Sequence, residues 1–180
     1  MMTMLRRLIE LFFTSPIYAG FMLMFIGVFS LSFALISQYG FGYAPCELCI
    51  YQRWPYGIVI ALGLLAVLTG CKRPKFAAML MALAGFVFLV GMAIAFYHSG
   101  VEQKWWAGMA SCTTANFIGQ NLSLDELEAL IMAAPVVSCG DIAWTLFGLS
   151  MAVYNTFLSL LYAGYGFLAA IFITRRVNHA

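Results

Sequence analysis

Four apolar runs, separated by polar breaks, set the pattern of this 180-residue chain. The first, about 17–37, carries no charged residue and is long enough for a bilayer, which takes about 20 helical residues. The second follows Arg53. It reaches full length, 49–70, only if its helix starts near Cys49 with Pro55 tolerated in an early turn. The third covers 76–97. The last apolar stretch, 142–174, is too long for one perpendicular helix, so its first third reads as interfacial and its span as 153–173. Within the break before it, Ser123-Leu124-Asp125-Glu126 forms a capping box. The short helix this opens carries Leu124, Leu127, Leu130 and Ile131 on one face and ends at Pro135. The pattern predicts an all-α integral membrane protein. It is a single four-transmembrane-helix bundle over 1–180, with outer loops at about 38–48 and 98–152, the second containing a short amphipathic helix.

Composition removes the soluble alternative. The chain is 64% hydrophobic and 9% charged, against about 25% charged in soluble domains. No basic stripe or motif points to nucleic acid. The segment Met1 to Thr14 reads as a short surface helix or a basic flank to the first span. The apolar run after it exceeds a signal-peptide core, and no A-x-A-like site closes it.

The charges orient the bundle. Arg6 and Arg7, then Lys72, Arg73 and Lys75, then Arg175 and Arg176 fall on one side, with only Arg53 and Lys104 on the other. By the positive-inside bias both termini are cytoplasmic and the two loops are periplasmic. Cys46, Cys49, Cys112 and Cys139 then face the oxidising side, while Cys71 sits on the cytoplasmic side as a free thiol. Four cysteines allow three pairings. Proximity favours Cys46–Cys49 and leaves Cys112–Cys139.

The candidate chemistry lies in Cys46-Glu47-Leu48-Cys49-Ile50-Tyr51-Gln52-Arg53. A vicinal dithiol closes into a readily reduced disulfide, which suits electron relay better than bracing. In a helix, Cys49 and Arg53 share a face at i and i+4. A cation there can stabilise the Cys49 thiolate and hydrogen-bond a carbonyl of a bound electrophile. The plainer use of Arg53 is snorkelling at a helix end. His98 opens the second loop and can approach the same point as a proton donor; its plainer use is as a solvated interfacial histidine. Two other readings of the cysteines are a pair of bracing disulfides and a zinc site. Zinc usually takes two close-spaced pairs, and Cys112 and Cys139 are far apart, so no metal is expected. Trp105 and Trp106 fit a headgroup belt.

Taken together, these residues resemble the bacterial inner-membrane oxidases of the disulfide bond formation protein B (DsbB) family. The resemblance runs from the first span to the fourth. It is carried by Cys46 through Pro55, by Tyr97-His98-Ser99-Gly100-Val101-Glu102 with Trp105-Trp106 and Cys112, by Cys139 and Ala143-Trp144, and by Phe147 to Met151 with Asn155. It implies a protein-dithiol:quinone oxidoreductase of the bacterial inner membrane, expected as a monomer in the lipid and quinone pool. Its implied partner is a DsbA-like periplasmic thioredoxin-fold dithiol, which attacks a Cys112–Cys139 disulfide at Cys112. Cys139 then attacks Cys46, and Cys49 faces a ubiquinone or menaquinone with Arg53 against the quinone oxygen. The chain departs from the family pattern at Met109, Gly140 and Ala152, none of which touches these residues. The rival within the same chemistry is a vitamin-K-epoxide-reductase-like oxidase, whose Cys-x-x-Cys lies late in its bundle. The rival from another class is a non-enzymatic tetraspan protein with structural disulfides.

Overall fold

Proline opens two of the long helices. Pro16 follows the N-cap Ser15 and Pro74 follows Arg73, each at a position where the missing N–H has no helical partner to lose. The computed structural model describes residues 10–108 and 138–179. Cys112 and the amphipathic helix expected after Ser123 lie outside the described residues. After a helical stretch at 10–14, α1 runs Pro16–Tyr39, α2 Glu47–Tyr51, α3 Arg53–Gly70 and α4 Pro74–Glu102. A hairpin of β1 (Thr145–Leu146) and β2 (Leu149–Ser150) leads into α5, Met151–Asn178. Thr145 pairs with Ser150 in the antiparallel register. Phe147 and Gly148 turn the hairpin with φ of 49° and 77°, as a two-residue loop of matching twist needs.

Among the described residues, four helical runs are long and apolar enough to cross a membrane: α1, α2 with α3, α4, and α5. Their bounds differ from the expected ones for identifiable reasons. The second run starts at Glu47, not Cys49, because the Cys46 sulfur caps it. It breaks at Gln52, because Pro55 has no N–H for the Tyr51 carbonyl and its ring crowds that oxygen. Gln52 keeps helical dihedrals, φ −66° and ψ −15°, so the direction is preserved. The third span, α4, continues past residue 97 to Glu102, so His98 lies inside a helix and does not open a loop. Its polar end stays helical because Ser99 bonds back to the Ala95 carbonyl and because His98 and Glu102 meet polar groups of other elements. The last helix starts at Met151, where the Ser150 hydroxyl accepts the Val153 N–H.

The helices pack mainly as α1 on α3, α3 on α4 and α4 on α5. Between lipid-facing helices, close approach depends on small residues. A Cβ added at Gly20 or Gly63 would lie 2.7 Å from the carbonyl oxygen of the other. One added at Gly166 would lie 2.8 Å from the Gly85 nitrogen. Leu23, Val59, Met81, Phe88 and Ile173 fill the core that these contacts close. Gly166→Val is therefore expected to lower thermal stability in detergent by about 1–3 kcal/mol. Gly164→Val, two residues away with nothing within 4 Å of an added Cβ, is the control. Equal melting temperatures for the two variants would refute this account of the α4–α5 contact.

Candidate active site

The dithiol is shaped by a helix cap. Cys46 is the N-cap of α2, with its sulfur accepting the Cys49 N–H at 3.3 Å. That hydrogen bond, with two residues between the ends, brings the sulfurs to 2.9 Å. Both are free thiols, as is Cys71. Cys46 is buried and Cys49 half-buried. The hydrogen bond to Cys49 pushes the Cys46 thiol well up from its ordinary value, and burial adds to this. Cys46 therefore keeps its proton, and Cys49 is the sulfur free to act as thiolate. Limited alkylation with iodoacetamide is expected to modify Cys49 before Cys46, read by peptide mass spectrometry. Earlier modification of Cys46 would contradict this order.

Cys139 reaches the same place from the second loop. It is disulfide-bonded and wholly buried, in one cluster with Cys46, Leu48 and Val101, against which Cys49 and Tyr97 pack. Lys104 helps to set this position. In the left-handed conformation, φ 62°, it turns back from the end of α4 and donates from Nζ to the Gly140 carbonyl at 2.9 Å. Trp106 stacks on Tyr97, interplanar angle 9°, and donates to the Tyr97 carbonyl. This locks the start of the loop against α4.

Arg53 stands one turn beyond Cys49. Its Nη1 donates to Gln38 Oε1 of α1 at 2.8 Å. His98 Nε2 lies 3.5 Å from Cys46 Sγ and 3.8 Å from Glu102 Oε1, and Glu102 accepts the Ser150 hydroxyl. The Nδ1 atom of His98 meets Gln52 Nε2 at 2.7 Å. Gln52 Oε1 accepts from Asn155 Nδ2 at 2.5 Å, and Asn155 Oδ1 accepts the Tyr56 and Ser159 hydroxyls. A hydrogen-bonded chain thus joins α5, α3 and α4 to the dithiol. The donor atoms of Cys46, Cys49 and His98 lie within 4.8 Å of one another, a spacing that could hold a metal ion. However, sulfurs 2.9 Å apart are closer than the edge of a tetrahedron with bonds of about 2.3 Å allows.

Beside these groups is a cavity of about 370 Å³. Cys46, Cys49, Arg53, His98 and Glu102 line its polar part. Phe29, Leu158 and Tyr162, from α1 and α5, line it deeper in the bundle. Such a cleft, apolar with a few convergent polar groups, suits a flat apolar ring carrying carbonyl oxygens. The structure thus brings together Cys46, Cys49, Cys139, Arg53 and His98. Cys112 lies outside the described residues, and Cys71 is at the other end of the bundle beside Pro16 and Arg176. The sequence reading gave no role to Gln38, Gln52, Tyr56 or Ser159, and noted Asn155 and Glu102 only as carriers of a resemblance. One signal was available: Asn155 and Gln52 are amide side chains in or beside apolar spans, where polar groups are costly without a function.

Residues 18–169 match the family described as Disulfide bond formation protein DsbB. The chain belongs to the DsbB family. It is 34% identical over 138 residues to Disulfide bond formation protein B 2 of Pseudomonas aeruginosa, covering 72% of this chain and 75% of the relative. It is 30% identical over 152 residues to Disulfide bond formation protein B of Haemophilus influenzae, covering 83% of each. An uncharacterized protein of Rickettsia prowazekii is 32% identical over 135 residues, covering 75% of this chain and 76% of that protein. No solved structure matches the chain. DsbB membership and the four spans make this a disulfide-bond-forming membrane protein and an oxidoreductase.

Proposed function

We propose that this DsbB-family protein reoxidises a DsbA-like periplasmic thioredoxin-fold dithiol and passes the electrons to a membrane quinone. The observation that carries the reading is the two-sided placement of one dithiol. Cys46 packs against Cys139, and the same dithiol lines, with Arg53, an apolar cavity between the helices. The basic residues of the termini and of the Cys71–Lys75 turn support an orientation with both termini cytoplasmic and the dithiol periplasmic, in a bacterial inner membrane.

The exchanges balance as follows. A partner thiolate attacks Cys112 of a Cys112–Cys139 disulfide and releases the Cys139 thiolate. The partner's second thiolate resolves the mixed disulfide, so the partner leaves oxidised and Cys112 is freed. Cys139 attacks Cys46 of the closed Cys46–Cys49 disulfide, and Cys49 leaves as thiolate. Cys112 then attacks Cys139, restoring their bond and releasing Cys46. The outcome, free Cys46 and Cys49 with Cys139 disulfide-bonded, has the redox pattern of this structure. A quinone, as the acceptor substrate, takes two electrons and two protons and becomes quinol. Arg53, held by Gln38, directs guanidinium donors to the polar end of the cavity, where negative charge would develop. DsbA-type oxidants stand at about −120 mV, so recharging one needs a strong acceptor; ubiquinone or menaquinone would serve.

The test is reoxidation of a reduced thioredoxin-fold dithiol by the purified protein in detergent, with and without added quinone. Turnover that depends on quinone is expected. Turnover indifferent to quinone, with every family partner tried, would sink the reading.

A further inference from the structure

Hydrogen-bond direction around His98 is decided by one backbone carbonyl. Gln52 Nε2 lies 3.3 Å from the Leu48 oxygen and 2.7 Å from His98 Nδ1. A carbonyl oxygen only accepts, so the end of the Gln52 amide facing it is the NH2. The same NH2 faces Nδ1, which therefore accepts and carries no hydrogen. The rest of the chain agrees, since Gln52 Oε1 is already filled by the Asn155 NH2 and Asn155 Oδ1 by two hydroxyls. Turning the Gln52 amide over would set two oxygens against each other at Leu48. On its other side the ring presents Nε2 to acceptors, Cys46 Sγ at 3.5 Å and Glu102 Oε1 at 3.8 Å, and the ring also hydrogen-bonds the Cys139 carbonyl, so its one N–H is shared among acceptors. Both sides require the hydrogen on Nε2.

We infer that His98 serves Cys46 as a hydrogen-bond donor through Nε2–H, with Gln52 as the positioning residue that holds this tautomer, and that His98 does not receive the Cys46 proton. The consequence for turnover rests on the thiol–quinone reading; the tautomer does not. When the dithiol closes, one S–S bond forms between the Cys49 thiolate and Cys46, the Cys46 S–H breaks, and the quinone gains two electrons, that proton and a second proton from solvent. Charge grows on Cys46 Sγ as its proton leaves. The donors that face that sulfur are His98 Nε2–H, the Cys49 N–H at 3.3 Å and the Leu48 N–H, and each stabilises the charge. The Cys46 S–H itself is directed at Cys49 Sγ, 2.9 Å away, so the proton leaves on the cavity side and not through the ring. With its hydrogen on Nε2, the ring also offers no lone pair to an ion between the two sulfurs.

Ring-15N-labelled protein in detergent, with the dithiol reduced and at neutral pH, reads the tautomer directly. The chain has two histidines, and the other, His179, is exposed at the end of α5, so the two rings are separable. One ring with a bare Nδ1 and a hydrogen-bearing Nε2 is expected. A hydrogen on Nδ1 of His98 would overturn the inference. The kinetic arm compares closure rates of Cys46–Cys49. His98→Gln retains an NH2 near the Nε2 position but no base, and is expected to close roughly ten- to a hundred-fold faster than His98→Ala. Equal losses in the two variants would defeat the donor role. Gln52→Met is expected to slow the wild-type protein and to add nothing in the His98→Gln background; fully additive losses would reduce Gln52 to a packing residue. Should no quinone be reduced by any variant, the proposed function fails, and the ring spectrum still decides the tautomer.

Discussion

Cys49→Ala is expected to end quinone-dependent turnover. The variant keeps a second-loop disulfide at Cys139, so a reduced partner should still be oxidised once per chain and no further. The physical basis is that both sulfurs line the cavity, but Cys49 is the half-buried one, whereas Cys46 is buried and holds its proton. A stopped-flow record of partner oxidation separates the two outcomes. A single burst followed by a flat line supports the assignment. Continued turnover with added quinone would show that electrons leave by another sulfur.

Arg53→Gln is expected to lower quinone-dependent turnover on the order of 10²- to 10³-fold, the usual cost of removing one preorganised donor from developing charge. Glutamine keeps a hydrogen-bonding tip but loses the fixed cation and the fork geometry, and Arg53→Lys should recover only part of the loss. The single-burst oxidation of partner should be unaffected, because under the proposed exchanges it needs only the disulfide of Cys139, which packs against Cys46 in a cluster without Arg53. Measured against quinone concentration, the loss should fall on the rate of dithiol closure. An unchanged kcat/KM for quinone would leave Arg53 with only its helix-end role and its bond to Gln38.

Much of the site was legible along the chain because its parts are local. Cys46 and Cys49 are one helical turn apart, and Arg53 is one turn further, so spacing alone brings them close. The break at Gln52 was less legible. Pro55 announces a disturbed turn, yet whether the chain bends or carries on depends on the conformation that its neighbours allow. His98 was misplaced at the start of a loop, since His98, Ser99 and Glu102 read as polar residues leaving the membrane. Packing reverses that reading: each finds a partner, and the helix continues to Glu102.

The sequence by itself determined the class, the four apolar spans and the close spacing of Cys46 and Cys49. Each follows from a short-range regularity, namely runs of apolar residues matched to bilayer thickness and cysteines at helical spacing. Only the tertiary structure decided which distant groups meet. Cys139, more than ninety residues beyond Cys46 in sequence, is buried against it because Lys104 anchors the adjoining turn. Asn155 of α5 reaches Gln52 at the start of α3, a meeting across more than a hundred residues of sequence. The direction of every bond from Tyr56 to His98 then depends on the Leu48 carbonyl. No pattern of residue types encodes that choice, because an amide side chain presents a donor or an acceptor according to what it faces.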